Sequence, residues 1–132
     1  MSEYSLPRSG NSPLAFDGEL IAESDGQRQF GKEHNRYHEI AVYRTDGGKY
    51  VVAIRYHTHW QGEAHHDFAI AVDTASEAAD EFRNHEPTSH VGGYPVADNY
   101  AEKQQRLLAD IRARYDAQVS EILSGEEFAE RI

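Results

Sequence analysis

Between Arg36 and Asp73 the chain reads RYHEIAVYRTDGGKYVVAIRYHTHWQGEAHHDFAIAVD. In its middle Tyr50, Val52, Ile54 and Tyr56 alternate with Val51, Ala53 and Arg55, the period of a half-buried strand. Phe68, Ile70 and Val72 repeat that alternation downstream, and Ile40 and Val42 repeat it upstream. The stretch therefore predicts three antiparallel strands joined by two tight hairpins. A slip of one residue would turn every buried side chain to water, so the register can be argued. Ile54 opposite Phe68, and Val52 opposite Ile70, leave Trp60-Gln61-Gly62 as a three-residue loop. Val42 opposite Val52 leaves Asp46-Gly47-Gly48. Gly62 and Gly48 then fill the left-handed position that such loops require. A two-residue Asp46-Gly47 turn would set Val42 against Val51 and break the facial pattern.

This register makes the second face of the sheet readable. Glu39, Arg55 and Asp67 form one cross-strand row, a cation between two carboxylates. Tyr37, His57 and His65 form the next, with His59 facing Glu63 beyond it. In the other direction come Ala41, Ala53 and Ala69, then Tyr43, Val51 and Ala71. Small side chains with few charges let another element approach closely. That element is expected to be the protein's own helix or, alternatively, a protein partner or a second copy of the chain. On the partner reading the contact residues are Trp60, Tyr37, Tyr43, Ala41, Ala53 and Ala69.

Outward from the sheet, residues 1–13 hold Ser, Gly, Asn and two prolines and read as a flexible arm. Leu14, Phe16 and Leu20 alternate with acidic residues in a first strand reaching about Ala22. Gly18 within it marks a bulge or a close backbone approach. Ser24 to Asn35 is a polar connection. After the sheet, Thr74 and Glu77 have the spacing of a capping box. The short helix they start runs to about Arg83, and Phe82 as its only large apolar residue predicts a light contact. Glu86 to Ala97 is irregular, with a hinge at Gly92-Gly93. Asp98 is the expected N-cap of a helix running to about Leu123. Its stripe of Tyr100, Gln104, Leu107, Leu108, Ile111, Tyr115, Val119 and Ile122 seeks a sheet face. Ser124 and Glu127 suit one further short turn. The expected fold is α+β: a four-stranded antiparallel meander packed against a long C-terminal helix, with residues 14–132 as one domain.

The 132 residues suffice for a core without staples, and the absence of cysteine excludes disulfides and thiolate zinc sites. A formal charge of −10 argues against direct nucleic-acid binding, which works by neutralising phosphates. It suits a basic partner, including a nucleic-acid-binding protein that an acidic antagonist would occupy. No apolar run approaches membrane-spanning length, and the first residues lack the apolar core of a secretory signal. A cytoplasmic location with no membrane contact is expected.

Phe16-Asp17-Gly18-Glu19-Leu20-Ile21-Ala22-Glu23, followed by Tyr43-Arg44-Thr45-Asp46-Gly47-Gly48-Lys49-Tyr50-Val51-Val52, resembles the bacterial EXLDI family of small proteins. The likeness covers residues 14 to 58. At the C-terminal end Glu127-Phe128-Ala129-Glu130-Arg131-Ile132 departs from the Glu-x-Leu-Asp-Ile after which the family is named. The resemblance implies a bacterial protein and brings no catalytic residues with it.

Chemistry, if present, would come from histidine, of which the chain has eight. His57, His59 and His65 share one face with Glu63 beside them, a donor set compatible with zinc or another borderline divalent metal. An open fourth position there would carry water for hydrolysis. His66 falls on the core side near Tyr56 and reads as structural. There is no cysteine nucleophile, no Gly-x-Ser-x-Gly elbow and no phosphate loop. The carboxylates flanking Arg55 are neutralised, the reverse of a poised general acid. The leading expectation is a non-catalytic interaction or regulatory protein without a cofactor, binding a protein through the sheet face or the Trp60 hairpin. The alternatives are a histidine-dependent zinc protein or metal hydrolase, and an acidic antagonist of a nucleic-acid-binding protein.

Overall fold

The computed structural model describes residues 2–31, 34–92 and 100–129. Five antiparallel strands form one sheet in sequence order: β1 (Ser2–Arg8), β2 (Asn11–Asp25), β3 (Arg36–Thr45), β4 (Tyr50–Thr58) and β5 (His66–Val72). A short helix, α1 (Gly26–Phe30), links β2 to β3; α2 (Ala75–Asn84) and α3 (Tyr100–Leu123) follow the sheet. The class is α+β as expected. The strand count is corrected from four to five, because residues 2–13, expected as part of a flexible arm, pair within the sheet. They supply β1 and the start of β2, with Tyr4 opposite Phe16 and Leu6 opposite Leu14. The polar connection after Ala22 is corrected as well: β2 continues to Asp25, whose carboxylate caps α1 by accepting the Gln27 amide at 2.9 Å.

The central register is as the alternation requires. Val42 pairs with Val52, Val52 with Ile70, and Ile54 with Phe68. Gly48 and Gly62 both adopt positive φ, 86° and 90°. The first hairpin closes as the three-residue loop, with Thr45 and Lys49 hydrogen-bonded across it at 2.8 Å. The second opens earlier than expected: its ladder ends at Tyr56–His66, and the His59 amide bonds instead to the Asn35 carbonyl at 2.8 Å. At Gly18 a Cβ would stand 2.2 Å from the Arg44 carbonyl oxygen, so the close approach there is real. The register of β2 against β3 shifts between Leu20 and Ala22, a bulge that adds local twist.

The sheet curls until its edge strands meet, where the Ser9 amide donates to the Asp67 carbonyl at 2.8 Å and Ser9 Oγ accepts the Asp67 amide at 2.9 Å. Its outer face carries Ile40, Val42, Val52 and Ile54, packed beneath Ala78, Phe82, Tyr115, Val119 and Ile122 of the two helices. Thr74 caps α2 through the Glu77 amide at 3.1 Å, as its spacing predicted. The light contact expected of α2 is corrected by Phe82, which is fully buried in that core. Two polar ties fix α3 in place. Tyr115 donates its hydroxyl to the Phe82 carbonyl at 2.7 Å, and buried Gln118 donates to the Ser24 and His38 carbonyls at 3.1 and 2.9 Å. Asp98, the expected N-cap, lies outside the described residues, as do Gly93 and the last three residues. Among the described residues no helix is long and apolar enough to cross a membrane.

Candidate functional site

At the Trp60 end the outer face of the sheet changes character. Along β3 and β4 the alternation that buries Ile40, Ile54 and Val52 continues into His38, Arg36, Tyr56 and Thr58, all buried. A buried guanidinium requires a carboxylate. Glu63, from the opened hairpin, supplies it: the two side chains are 7% and 6% exposed. Arg36 Nε lies 3.0 and 2.9 Å from the two Glu63 oxygens, and its Nη2 also donates to Oε2. Tyr56 and Thr58 donate their hydroxyls to Oε1 at 2.7 and 3.0 Å, and the Gly92 amide donates to Oε2 at 3.0 Å. Burial alone would raise the Glu63 carboxyl, but these donors outweigh it and hold it down at about 2.

Trp60 lies over this ion pair. Its indole sits 4.7 Å from the Arg36 guanidinium carbon, its amide donates to Thr58 Oγ1 at 3.1 Å, and it is 42% exposed. Arg114 of α3 closes the arrangement from behind, donating to the Arg36 carbonyl at 2.8 Å. The hairpin end is thus anchored to β3, α3 and the segment before α3. Sequence reasoning missed Arg36 and misplaced Glu63, which turns away from His59 to the buried guanidinium. The signal for Arg36 was its place two residues beyond His38 and four beyond Ile40 on the core-facing side.

The histidines of the other face come together in part. Tyr37 stacks on His57 with centroids 4.8 Å apart and lies 6.3 Å from His59, and His65 stands edge-on to His57 at 5.3 Å. One ring nitrogen of His57 and one of His65 are already engaged. His57 Nε2 lies 3.0 Å from Glu39 Oε1, and His65 Nε2 donates to the Thr58 carbonyl at 3.0 Å. The hydrogen bond from His57 is the main cause that keeps the Glu39 carboxyl below its usual range. Among the described residues no three His, Asp or Glu side chains are arranged to hold a metal ion.

The alanine row is not a free surface. Ala41, Ala53 and Ala69 are 8%, 5% and 5% exposed, and they face the inside of the curl rather than a helix. Leu6 and Pro7 of β1 lie across from Ala41 and Ala53, leaving a cavity of about 70 Å³ also bordered by Glu39, Tyr43 and Arg55. Tyr43 packs there in an aromatic cluster with Tyr4 and Phe16, at 4.8 and 5.3 Å. Of the six residues expected to meet a partner, Trp60 and Tyr37 stand at the hairpin end, and the other four belong to the interior of the curl. The Glu39–Arg55–Asp67 row forms as expected, with Arg55 Nε donating to Asp67 at 2.8 Å. Compared with family models, curated proteins and solved structures, the chain matches none.

Proposed function

We propose that this is a non-catalytic protein-binding module, working in the cytoplasm, that engages a partner protein with the Trp60 end of its β4–β5 hairpin. One observation carries the reading: the chain's single tryptophan is held half in water on a guanidinium that is itself locked by a buried carboxylate. Trp and Tyr are enriched in interface hot spots because they offer large contact area from few rotamers. Tyr37, His57, His59 and His65 extend the aromatic surface next to it. A net charge of −10 favours a partner with a basic face and steers its approach.

The test is a photo-crosslinker at Gln61, beside the intact Trp60, and, as a control, at Leu20, the other large apolar residue exposed among those described. A protein captured from position 61 alone should bind the W60A variant roughly thirtyfold more weakly, the loss of a hot-spot residue. L20A should bind as the wild type does. Equal capture from both positions, or equal affinity of W60A, refutes the proposal.

A further inference from the structure

Four histidines gather on the helix side of the sheet: His38 on β3, His66 on β5, His85 at the end of α2 and His90 in the segment that follows. His38 lies against Tyr56 and Tyr115, with centroids 5.3 and 5.1 Å away, and His85 against Phe68 and Tyr115 at 5.6 and 5.8 Å. His90 stacks on His66 at 3.8 Å with the rings 17° from parallel. The contacts of His85 and His90 fasten residues 85–92 to the sheet and to α3. Among the described residues the backbone of that segment makes turn bonds within itself, from Ser89 to Glu86 and from Val91 to Thr88. Its further ties include the Gly92 amide on Glu63, the Glu86–Arg112 ion pair and the Pro87 carbonyl on His38.

Among the described residues the carboxylates near these rings are already paired, and the acceptor that favours a charged His38 is the Pro87 backbone carbonyl of the segment itself. β3 brings Arg36, and the hairpin brings Glu63, which Arg36 already occupies. β4 contributes the Tyr56 hydroxyl, itself bound to Glu63. On β5, Asp67 is held by Arg55, and in the segment Glu86 is held by Arg112 of α3. α3 adds Arg114, which bears on His38, and Tyr115. Burial first, then His85, Arg114 and His57, push His38 down to about 3, against an opposing pull from the Pro87 carbonyl. Burial and the nearby His66 and His90 push His85 down to about 4, against a weak opposing pull from Glu86.

We propose that residues 85–92 are an acid-released strap, which leaves the sheet on mild acidification while the sheet itself stays folded. His85 binds protons more weakly with the strap docked than in water, so docking is fully favoured above the free imidazole pKa near 6.5 and is lost as pH falls below it. Release would expose His85 and remove the Gly92 donor from Glu63 beneath Trp60. The strap does not depend on what Trp60 recognises.

Amide hydrogen exchange of the full chain, corrected for the intrinsic effect of pH, tests this directly. Between pH 7.5 and 5 the opening of residues 85–92 should rise by about thirtyfold as His85 is freed, while β3 and β4 keep their protection. H85F places a ring between Phe68 and Tyr115 that cannot titrate, and its strap should open about thirtyfold less than the wild type at pH 5. The wild-type profile decides even if that variant does not fold. Simultaneous loss of protection in the strap and in β3–β4, an unprotected strap at pH 7.5, no loss by pH 5, or an H85F strap that opens like the wild type each overturns the proposal.

Discussion

The two faces of the sheet are covered in different ways. The outer face is covered by volume: Ile40, Val42, Val52 and Ile54 are all at most 1% exposed, under Phe82, Tyr115 and the rest of the helical stripe. The inner face is covered by curvature. Its middle row is three alanines, and the lack of side-chain bulk lets the sheet bend until β1 closes over them and reaches β5. Packing on the outer side therefore consists of large side chains in contact, as in any dense interior. On the inner side a small void remains, bordered by Tyr43 of the aromatic cluster and by Glu39 and Arg55 of the charged row. A face rich in alanine need not await a partner. Bending the sheet is a second way to bury it.

The contrast is broken most severely at the Trp60 end, where the outer face buries charge. Glu63→Ala should cost about 3–5 kcal/mol, because it strands a buried guanidinium together with two hydroxyls and an amide. Chemical denaturation measures it, and a loss under about 1 kcal/mol would mean that water takes over those donors. The wild-type pair also predicts a window. The Glu63 carboxyl is depressed to about 2, so its contribution is complete above the ordinary carboxylate range near 4.3 and is lost as pH falls from there toward 2.

A smaller loss separates the faces directly. Ile54→Ala should cost roughly 2–5 kcal/mol, a large-to-small change in a dense core. Arg55→Ala, the next residue on the opposite face, should cost no more than about 1 kcal/mol. Its side chain is 42% exposed, and exposed ion pairs contribute little. Equal losses at the two positions would undo the assignment of faces.

What the sequence made legible follows the range of the interactions involved. Strands β3 to β5, their register, both left-handed glycines and the Thr74 cap rest on neighbours within one or two turns of chain, and alternation and turn chemistry report such neighbours. β1 was not legible because Ser2 to Arg8 offers only Tyr4 and Leu6 as inward residues, and Pro7 is tolerated there only at an edge. Its burial depends on the curl, which no local pattern encodes. Glu63 was misplaced because the register was carried past the end of the ladder. The guanidinium that turns it inward lies 27 residues earlier in the chain. Of the hairpin end, Trp60 could be read as an exposed aromatic, but the ion pair that fixes it could not.

The smallest expected effect is the most discriminating. Ala41→Val and Ala78→Val add the same two methyl groups on opposite sides of the sheet. Ala78 is fully buried among Phe82 and its neighbours, so the added volume must displace packed side chains at roughly 1–3 kcal/mol. Ala41 borders the 70 Å³ cavity, and valine suits a strand. Burying two more methyl groups there yields up to about 1.5 kcal/mol, from which any adjustment of β1 must be subtracted. Ala41→Val should therefore fall within about 1 kcal/mol of the wild type in a denaturant melt. If it costs as much as Ala78→Val, the inner face is as tightly filled as the outer one, and curvature and volume are not distinct means of closing this sheet.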